Sequence, residues 1–229
     1  MNVTEFVKRL RAELKARADS KKAVAQQAYM KSALPYFGVA VPESRRVFRE
    51  VMKDLEFDSF AQLNRFVRQV WQGAGHREEW YAAIALLDLK QTRAFQTLDA
   101  LPLYEFLIVD GAWWDVVDDL ATHRIAGLLE KWPTELGKTL RAWSKGEQLW
   151  LRRSAIIAQV LRHEETDLGL LFDVIEPALH EKEFFLRKAI GWGLRAAGKE
   201  HRAAVRKYVD ANATRLSGLS RREAEKSLR

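Results

Sequence analysis

An aromatic residue heading a run of small and aliphatic residues returns along this chain at an almost constant interval. Trp80-Tyr-Ala-Ala-Ile-Ala-Leu-Leu, Trp150-Leu-Arg-Arg-Ser-Ala-Ile-Ile and Phe185-Leu-Arg-Lys-Ala-Ile-Gly-Trp share the pattern, and Trp114 opens a further helix of similar placement. The intervals are 34, 36 and 35 residues. A period of this length fits a two-helix solenoid repeat. Degenerate helical pairs of that kind stack into a curved array with one concave surface. An irregular helical domain with coincidental spacing is the competing reading.

The stretches between the anchors are helical in pattern too. Phe60, Leu63, Phe66, Val67, Val70 and Trp71 fall at 0, +3, +6, +7, +10 and +11, the spacing of one helix face. Few segments alternate apolar and polar residues with the period of two that a half-buried strand needs. Pro35, Pro42, Pro102, Pro133 and Pro177 stand between the periodic segments, where they fit helix starts and corners. The fold class read from this is all-α, a superhelical solenoid of antiparallel helix pairs forming a single domain over residues 1–229. Residues 1–37 and 216–229 break the pattern and read as capping elements. Ser220-x-x-Glu223 has the spacing of a capping box that starts a helix.

Charge and missing residue types exclude several classes. The 38 lysines and arginines against 31 acids give a net charge of +7, which fits either a polyanionic partner or a solvated basic surface. With no cysteine, disulfides, thiolate zinc sites, cysteine nucleophiles and cysteine-bound iron–sulfur clusters are excluded. His76, His123, His163, His180 and His201 never take H-x-x-x-H or H-E-x-x-H spacing, so no metal is expected. Neither phosphate-binding glycine motif is present, so no nucleotide cofactor is expected. The N-terminal segment lacks an apolar core of the signal-peptide kind, and no apolar run approaches the ~18 residues of a membrane span. A cytoplasmic protein without membrane contact is the expectation.

Trp113-Trp114-Asp115-Val116-Val117-Asp118-Asp119 carries the most distinctive chemistry. Read as a helix, it stacks Trp114 against Asp118 at i, i+4. A π surface beside a carboxylate suits a site that meets a cationic, planar group. Val117, Leu120, Ile125, Leu128 and Leu129 supply the core face, with Trp113 as its natural aromatic member and Trp114 about 100° further round. Asp118 as an ordinary capping or salt-bridging residue is the alternative. Arg152 and Arg153 point about 100° apart, so at most one aims at a shared groove, to hold a phosphate or to make a surface salt bridge. Trp192 lies between Gly191 and Gly193, which cost a helix about 1 kcal/mol each relative to alanine. That cost implies close approach of another helix or of a ligand backbone.

Tyr29-Met30-Lys31, Pro42-Glu43, Trp113-Trp114-Asp115 with Asp118, and Trp150-Leu151 with Arg153 occur in this order. Glu183-Phe184-Phe185, Lys188-Ala189-Ile190-Gly191-Trp192 and Leu219-Ser220-Arg221-Arg222-Glu223-Ala224 come after them. This ordered set, from about residue 25 to residue 226, resembles the AlkD-like DNA alkylation repair enzymes, monofunctional DNA glycosylases built from HEAT-like helical repeats. The resemblance places the catalytic aspartate on Asp118, groove tryptophans on Trp114 and Trp192, the groove arginine on Arg153 and a DNA-contacting tyrosine on Tyr29. One departure is Ala112, where a small polar residue can stand, so capping of the helix is expected to pass to Asp110 or Gly111.

The resemblance implies hydrolysis of the N-glycosidic bond of cationic N3- or N7-alkylated purines in duplex DNA, without a base-reading pocket, cofactor or metal, by a monomer. Asp118 would stabilise the developing sugar cation, Trp114 and Trp192 would hold the lesion by cation–π contact, and Arg153 would clamp a phosphate. Basic residues stand two and three positions after the repeat aromatics Trp150 and Phe185. This places a DNA-binding concave face on Arg45, Arg46, Arg153, Arg187, Lys188 and Arg195, with Tyr29 at one end. A non-catalytic HEAT-like protein that binds DNA structure and a protein–protein scaffold are the alternatives.

Overall fold

The computed structural model describes residues 1–229, and their packing divides the chain into two units, Met1–Phe95 and Gln96–Arg229. All regular structure is helical, in fourteen α-helices joined by short 3₁₀ and π turns.

The N-terminal unit holds α1 (Val3–Ala16), α2 (Ser20–Met30), α3 (Val41–Met52), α4 (Phe60–Gln72) and α5 (Arg77–Ala85). Asn2, Asp19 and Ser59 cap α1, α2 and α4 with side-chain oxygens on free backbone N–H groups, and Pro42 lies in the first turn of α3. The apolar spacing read in the sequence becomes the buried face of α4, Leu63, Phe66, Val67, Val70 and Trp71. Phe66 takes Phe6 and Phe57 edge to face, each with centroids 5.3 Å away. The anchor Trp80 stacks on Trp71 at 4.2 Å and donates its indole N–H to the Trp71 carbonyl. Two carboxylates lie buried beneath this unit's loops. Glu78 accepts the N–H groups of Phe37, Gly38 and Val39, and Glu79 takes Arg11 at 2.8 Å. Gly38, at φ +85°, is required there, because a Cβ would lie 2.1 Å from the Asp19 carbonyl oxygen.

The C-terminal unit contains α6 (Leu101–Gly111), α7 (Trp114–Asp119), a π-helical turn (Leu120–Ile125), α8 (Ala126–Lys131), α9 (Pro133–Lys145), α10 (Leu149–Ile157), α11 (Leu168–Ile175), α12 (Phe184–Ala197), α13 (Arg202–Ala211) and α14 (Gly218–Glu225). Within this unit the repeat is explicit. The rod from α7 to α8 packs on α10, α10 on α12 and α12 on α14, while α9 packs on α11 in the other layer. Each helix that opens with an anchor aromatic therefore stacks on the next, as a helical-repeat architecture requires. Pro102 and Pro133 start α6 and α9.

Two local expectations are corrected. Asp110 and Gly111 do not cap α7; they end α6, Ala112 turns the chain in the left-handed region at φ +38°, and Trp113 is the cap residue, without a side-chain bond. Trp113, the core aromatic of the pair in the sequence reading, joins the anchor aromatics, with Trp113 to Phe185 at 5.3 Å and Trp150 to Phe185 at 5.0 Å. Ser220 does not open a capping box either. Ser217 caps α14, and Ser220, fully buried, donates its hydroxyl to the Arg187 carbonyl of α12 at 2.9 Å.

Candidate active site

The α-helical geometry that begins at Trp114 lasts only six residues. After Asp119 the backbone widens into a π turn, and the Thr122 hydroxyl donates to the Asp118 carbonyl at 2.8 Å. Single π turns within α-helices recur at functional sites, because they re-aim the side chains beside them. Trp114 and Asp118 stand four residues apart within α7, the spacing of one helix face. Val117, Leu120, Ile125, Leu128 and Leu129 are all buried, as the core-face reading required.

Asp118 meets Arg153 of α10. The guanidinium donates from Nε to Oδ1 at 2.7 Å and from Nη2 to Oδ2 at 2.8 Å, and its Nη1 donates to the Phe185 carbonyl at the start of α12 at 2.7 Å. One arginine thus ties together three successive helices of the repeat. The fork is the geometry that suits a carboxylate and a phosphate equally. Here a carboxylate occupies it, which departs from the phosphate clamp expected of Arg153. Arg152 diverges as expected and pairs with Glu181 at 2.7 Å. The guanidinium side chain is only 6 % exposed, whereas that of Asp118 keeps 20 % open to solvent. Burial pushes the Asp118 carboxyl above its ordinary range; the Arg153 fork opposes this shift, and the nearby Asp115 charge adds to it.

Trp192 lies on α12 two turns after Phe185, about 10 Å along the axis. Its flanking glycines serve helix packing. A Cβ on Gly191 would lie 2.5 Å from the Glu223 Cβ of α14, and one on Gly193 would lie 3.3 Å from the Ile156 carbonyl of α10. Of the two explanations for these glycines, close helix–helix approach is the one observed.

Among the expected DNA-binding residues, Lys188 and Arg195 converge on one carboxylate, Glu223, at 3.4 and 2.6 Å. Arg187 is half-buried on the same helix. Tyr29, 75 % exposed near the end of α2, belongs to the N-terminal unit, as do Arg45, exposed on α3, and Arg46, which pairs with Glu43 at 3.5 Å. The charge excess is concentrated in that unit. Residues 1–95 carry 17 lysines and arginines against 11 acids, and residues 96–229 carry 21 against 20. The unit holding Asp118 is close to neutral overall.

Sequence reasoning does not single out Thr122 or Lys226, or the part Glu223 plays in gathering cations. Glu223 stands in one of the ordered motifs, but its spacing from Ser220 reads as a local cap. The Phe185 carbonyl leaves no signal at all, since a backbone acceptor has no trace in residue identity.

Stacked helices here present a carboxylate held by a guanidinium, with Trp114 on the same helix as Asp118 and Trp192 on α12, in a helical-repeat protein. The model of the DNA alkylation repair enzyme family matches residues 10–228, and the chain belongs to that family. A solved structure described as a predicted DNA alkylation repair enzyme from Enterococcus faecalis superposes with a TM-score of 0.81 at 27% identity. The match covers 92% of this chain and 96% of that one. No curated protein matches the chain. No helix is long and apolar enough to cross a membrane.

Proposed function

We propose that this member of the alkylation repair family is a monofunctional DNA glycosylase that removes cationic N3- and N7-alkylated purines from duplex DNA. The observation that carries the reading is the Asp118 carboxylate, partly open to solvent, four residues from Trp114 and held at both oxygens by Arg153.

Alkylation gives the purine a formal positive charge and weakens its bond to deoxyribose. When the C1′–N bond breaks, the bonding pair neutralises the departing base, so no strong acid is needed. Positive charge then develops on the sugar. A fixed carboxylate stabilises it, as in other glycoside hydrolyses. Water supplies the new C1′–O bond and its proton leaves through the carboxylate or to solvent. Asp118 fills the electrostatic role, and Trp114 and Trp192 hold the lesion nucleotide by cation–π contact. Arg153 is a positioning residue that fixes the carboxylate. Tyr29, Arg45, Arg46, Arg187, Lys188 and Arg195 meet the DNA backbone. The enzyme works as a cytoplasmic monomer, in one domain, without cofactor, metal or a pocket that reads the base. Only lesions that are already labile cations are then substrates.

The same ion pair favours a second reading, a non-catalytic protein that recognises DNA structure, because a carboxylate locked into a guanidinium also serves as a purely structural link. Release of free alkylated base from methylated duplex DNA, with and without chelator, decides. Base release in both conditions supports the glycosylase. DNA binding without release supports the second reading.

A further inference from the structure

Glu223 is surrounded by more positive charge than one carboxylate can balance. Lys188 Nζ lies 3.4 Å from Oε1, Lys226 Nζ 2.8 Å from Oε1 and Arg195 Nη1 2.6 Å from Oε2. The arrangement is layered. The acid is 12 % exposed, while the side chains of Lys188, Arg195 and Lys226 are 42 %, 34 % and 54 % exposed. Three cations therefore form a solvent-facing rim over a buried counter-ion, with two positive charges in excess.

The sequence builds this cluster at some cost. Gly191 leaves the space that brings Glu223 against α12, where any side chain would collide with it. The buried Ser220 hydroxyl bonds α14 to the Arg187 carbonyl three residues before Glu223. The Lys226 hydrogen bond, with the Lys188 charge, holds the Glu223 carboxyl below its ordinary range, so it remains a counter-ion at neutral pH. Exposed ion pairs contribute little to stability, about 0–1 kcal/mol each, and a single cation would satisfy this acid. A fold that needed only to neutralise Glu223 has no use for the other two.

We propose that Lys188, Arg195 and Lys226, gathered on Glu223, form a seat for a DNA backbone phosphate beside Trp192. Lys188 and Arg195 stand four residues before and three residues after Trp192, on the helix face it shares. A phosphate on this rim fixes the strand where the tryptophan meets the nucleotide. Glu223 spreads and orients the cations while the seat is empty and moderates their charge. It is a positioning residue. The inference rests on the DNA-repair reading of the site and adds Glu223 and Lys226 to it.

The test is the salt dependence of binding to an undamaged duplex by the full chain, measured by fluorescence anisotropy between about 50 and 200 mM salt. Each phosphate neutralised contributes about 0.9 to the slope of log affinity against log salt. Lys188→Ala and Lys226→Ala should each lose part of that increment and the double variant most of it, and Glu223→Gln should bind roughly threefold tighter at low salt, the scale of one phosphate contact. Should Glu223→Gln loosen α14, the exposed Lys226→Glu keeps the test open and should weaken binding more than Lys226→Ala. Equal slopes in all variants, or weaker binding by a folded Glu223→Gln, would overturn the seat. Binding with equal slopes contradicts the seat alone, whereas a wild-type chain that binds no DNA contradicts the proposed function as well.

Discussion

Arg153 and Asp118, 35 residues apart and on helices of successive repeats, meet edge to edge through two hydrogen bonds of 2.7 and 2.8 Å. The spacing is one repeat of the chain, so the same period that stacks the helices also delivers the guanidinium to the carboxylate.

Removing the guanidinium leaves a largely buried carboxylate without its partner. Breaking a buried pair from one side commonly costs about 3–5 kcal/mol. Asp118 keeps some solvent, so Arg153→Ala should lower the unfolding free energy by the lower end of that range. Excision should fall about a hundredfold as the carboxylate loses its position. Arg153→Lys keeps the charge but offers a point donor in place of a fork, and should recover stability better than rate. Urea unfolding and single-turnover excision read the two effects separately.

On the proposed function, the raised carboxyl of Asp118 sets the acid limit of the reaction. The proposed role requires the ionised form, so the rate should fall as pH drops through a midpoint above the ordinary aspartate value of about 3.9. Asp115→Asn removes a charge that contributes to the rise, and should move the midpoint down. Stability responds in the opposite sense. Between the unfolded and the raised folded pKa the native state binds more protons, so this group's contribution to stability declines as pH rises through that window. A pH–rate profile of the two proteins checks the first claim.

The glycines of the C-terminal unit should differ sharply in tolerance. Gly191→Ala drives a methyl to within 2.5 Å of the Glu223 Cβ and should cost about 1–3 kcal/mol while loosening α14. Gly127→Ala meets nothing within 4 Å inside α8 and should stabilise by up to about 1 kcal/mol through helix propensity. Denaturant midpoints of the two variants should move in opposite directions.

Ala112 holds a backbone conformation that suits glycine. At φ +38° its Cβ crowds the following carbonyl, at a cost of roughly 1–2 kcal/mol. Ala112→Gly should recover about 1 kcal/mol, visible as a higher melting temperature, because it relaxes the turn without touching α7.

Much of this is legible in the residues, and the failures share one cause. The aromatic period predicts stacked helices because each repeat must bury the same face against its neighbour. The core positions from Val117 to Leu129 follow from their 3.6-residue spacing. Periodicity says nothing about helix ends when a cap makes no side-chain bond. For that reason the cap of α7 falls on Trp113 rather than on Asp110 or Gly111. The Ser220–Glu223 spacing is equally that of a local cap and of two residues facing another helix. Only tertiary packing tells them apart. Arg153 stands out in the sequence, but a guanidinium fork reads the same toward phosphate and carboxylate, and its partner lies a whole repeat away.

The central claim is that the Asp118 charge stabilises the sugar cation, and one substitution isolates it. Asp118→Asn preserves size and an acceptor for Arg153 while removing the charge. Electrostatic contributions of this kind are worth about 2.7–4 kcal/mol, a hundred- to a thousandfold in rate. The decisive measurement is single-turnover excision of 7-methylguanine from duplex DNA, with folding confirmed by circular dichroism. Wild type, Asp118→Asn, Asp119→Asn and Trp114→Ala are compared. The account predicts a loss of that size for Asp118→Asn with DNA affinity kept or slightly raised, a nearly unchanged rate for Asp119→Asn, and an intermediate loss for Trp114→Ala. Equal rates for wild type and Asp118→Asn would contradict it and leave the carboxylate a structural partner of Arg153.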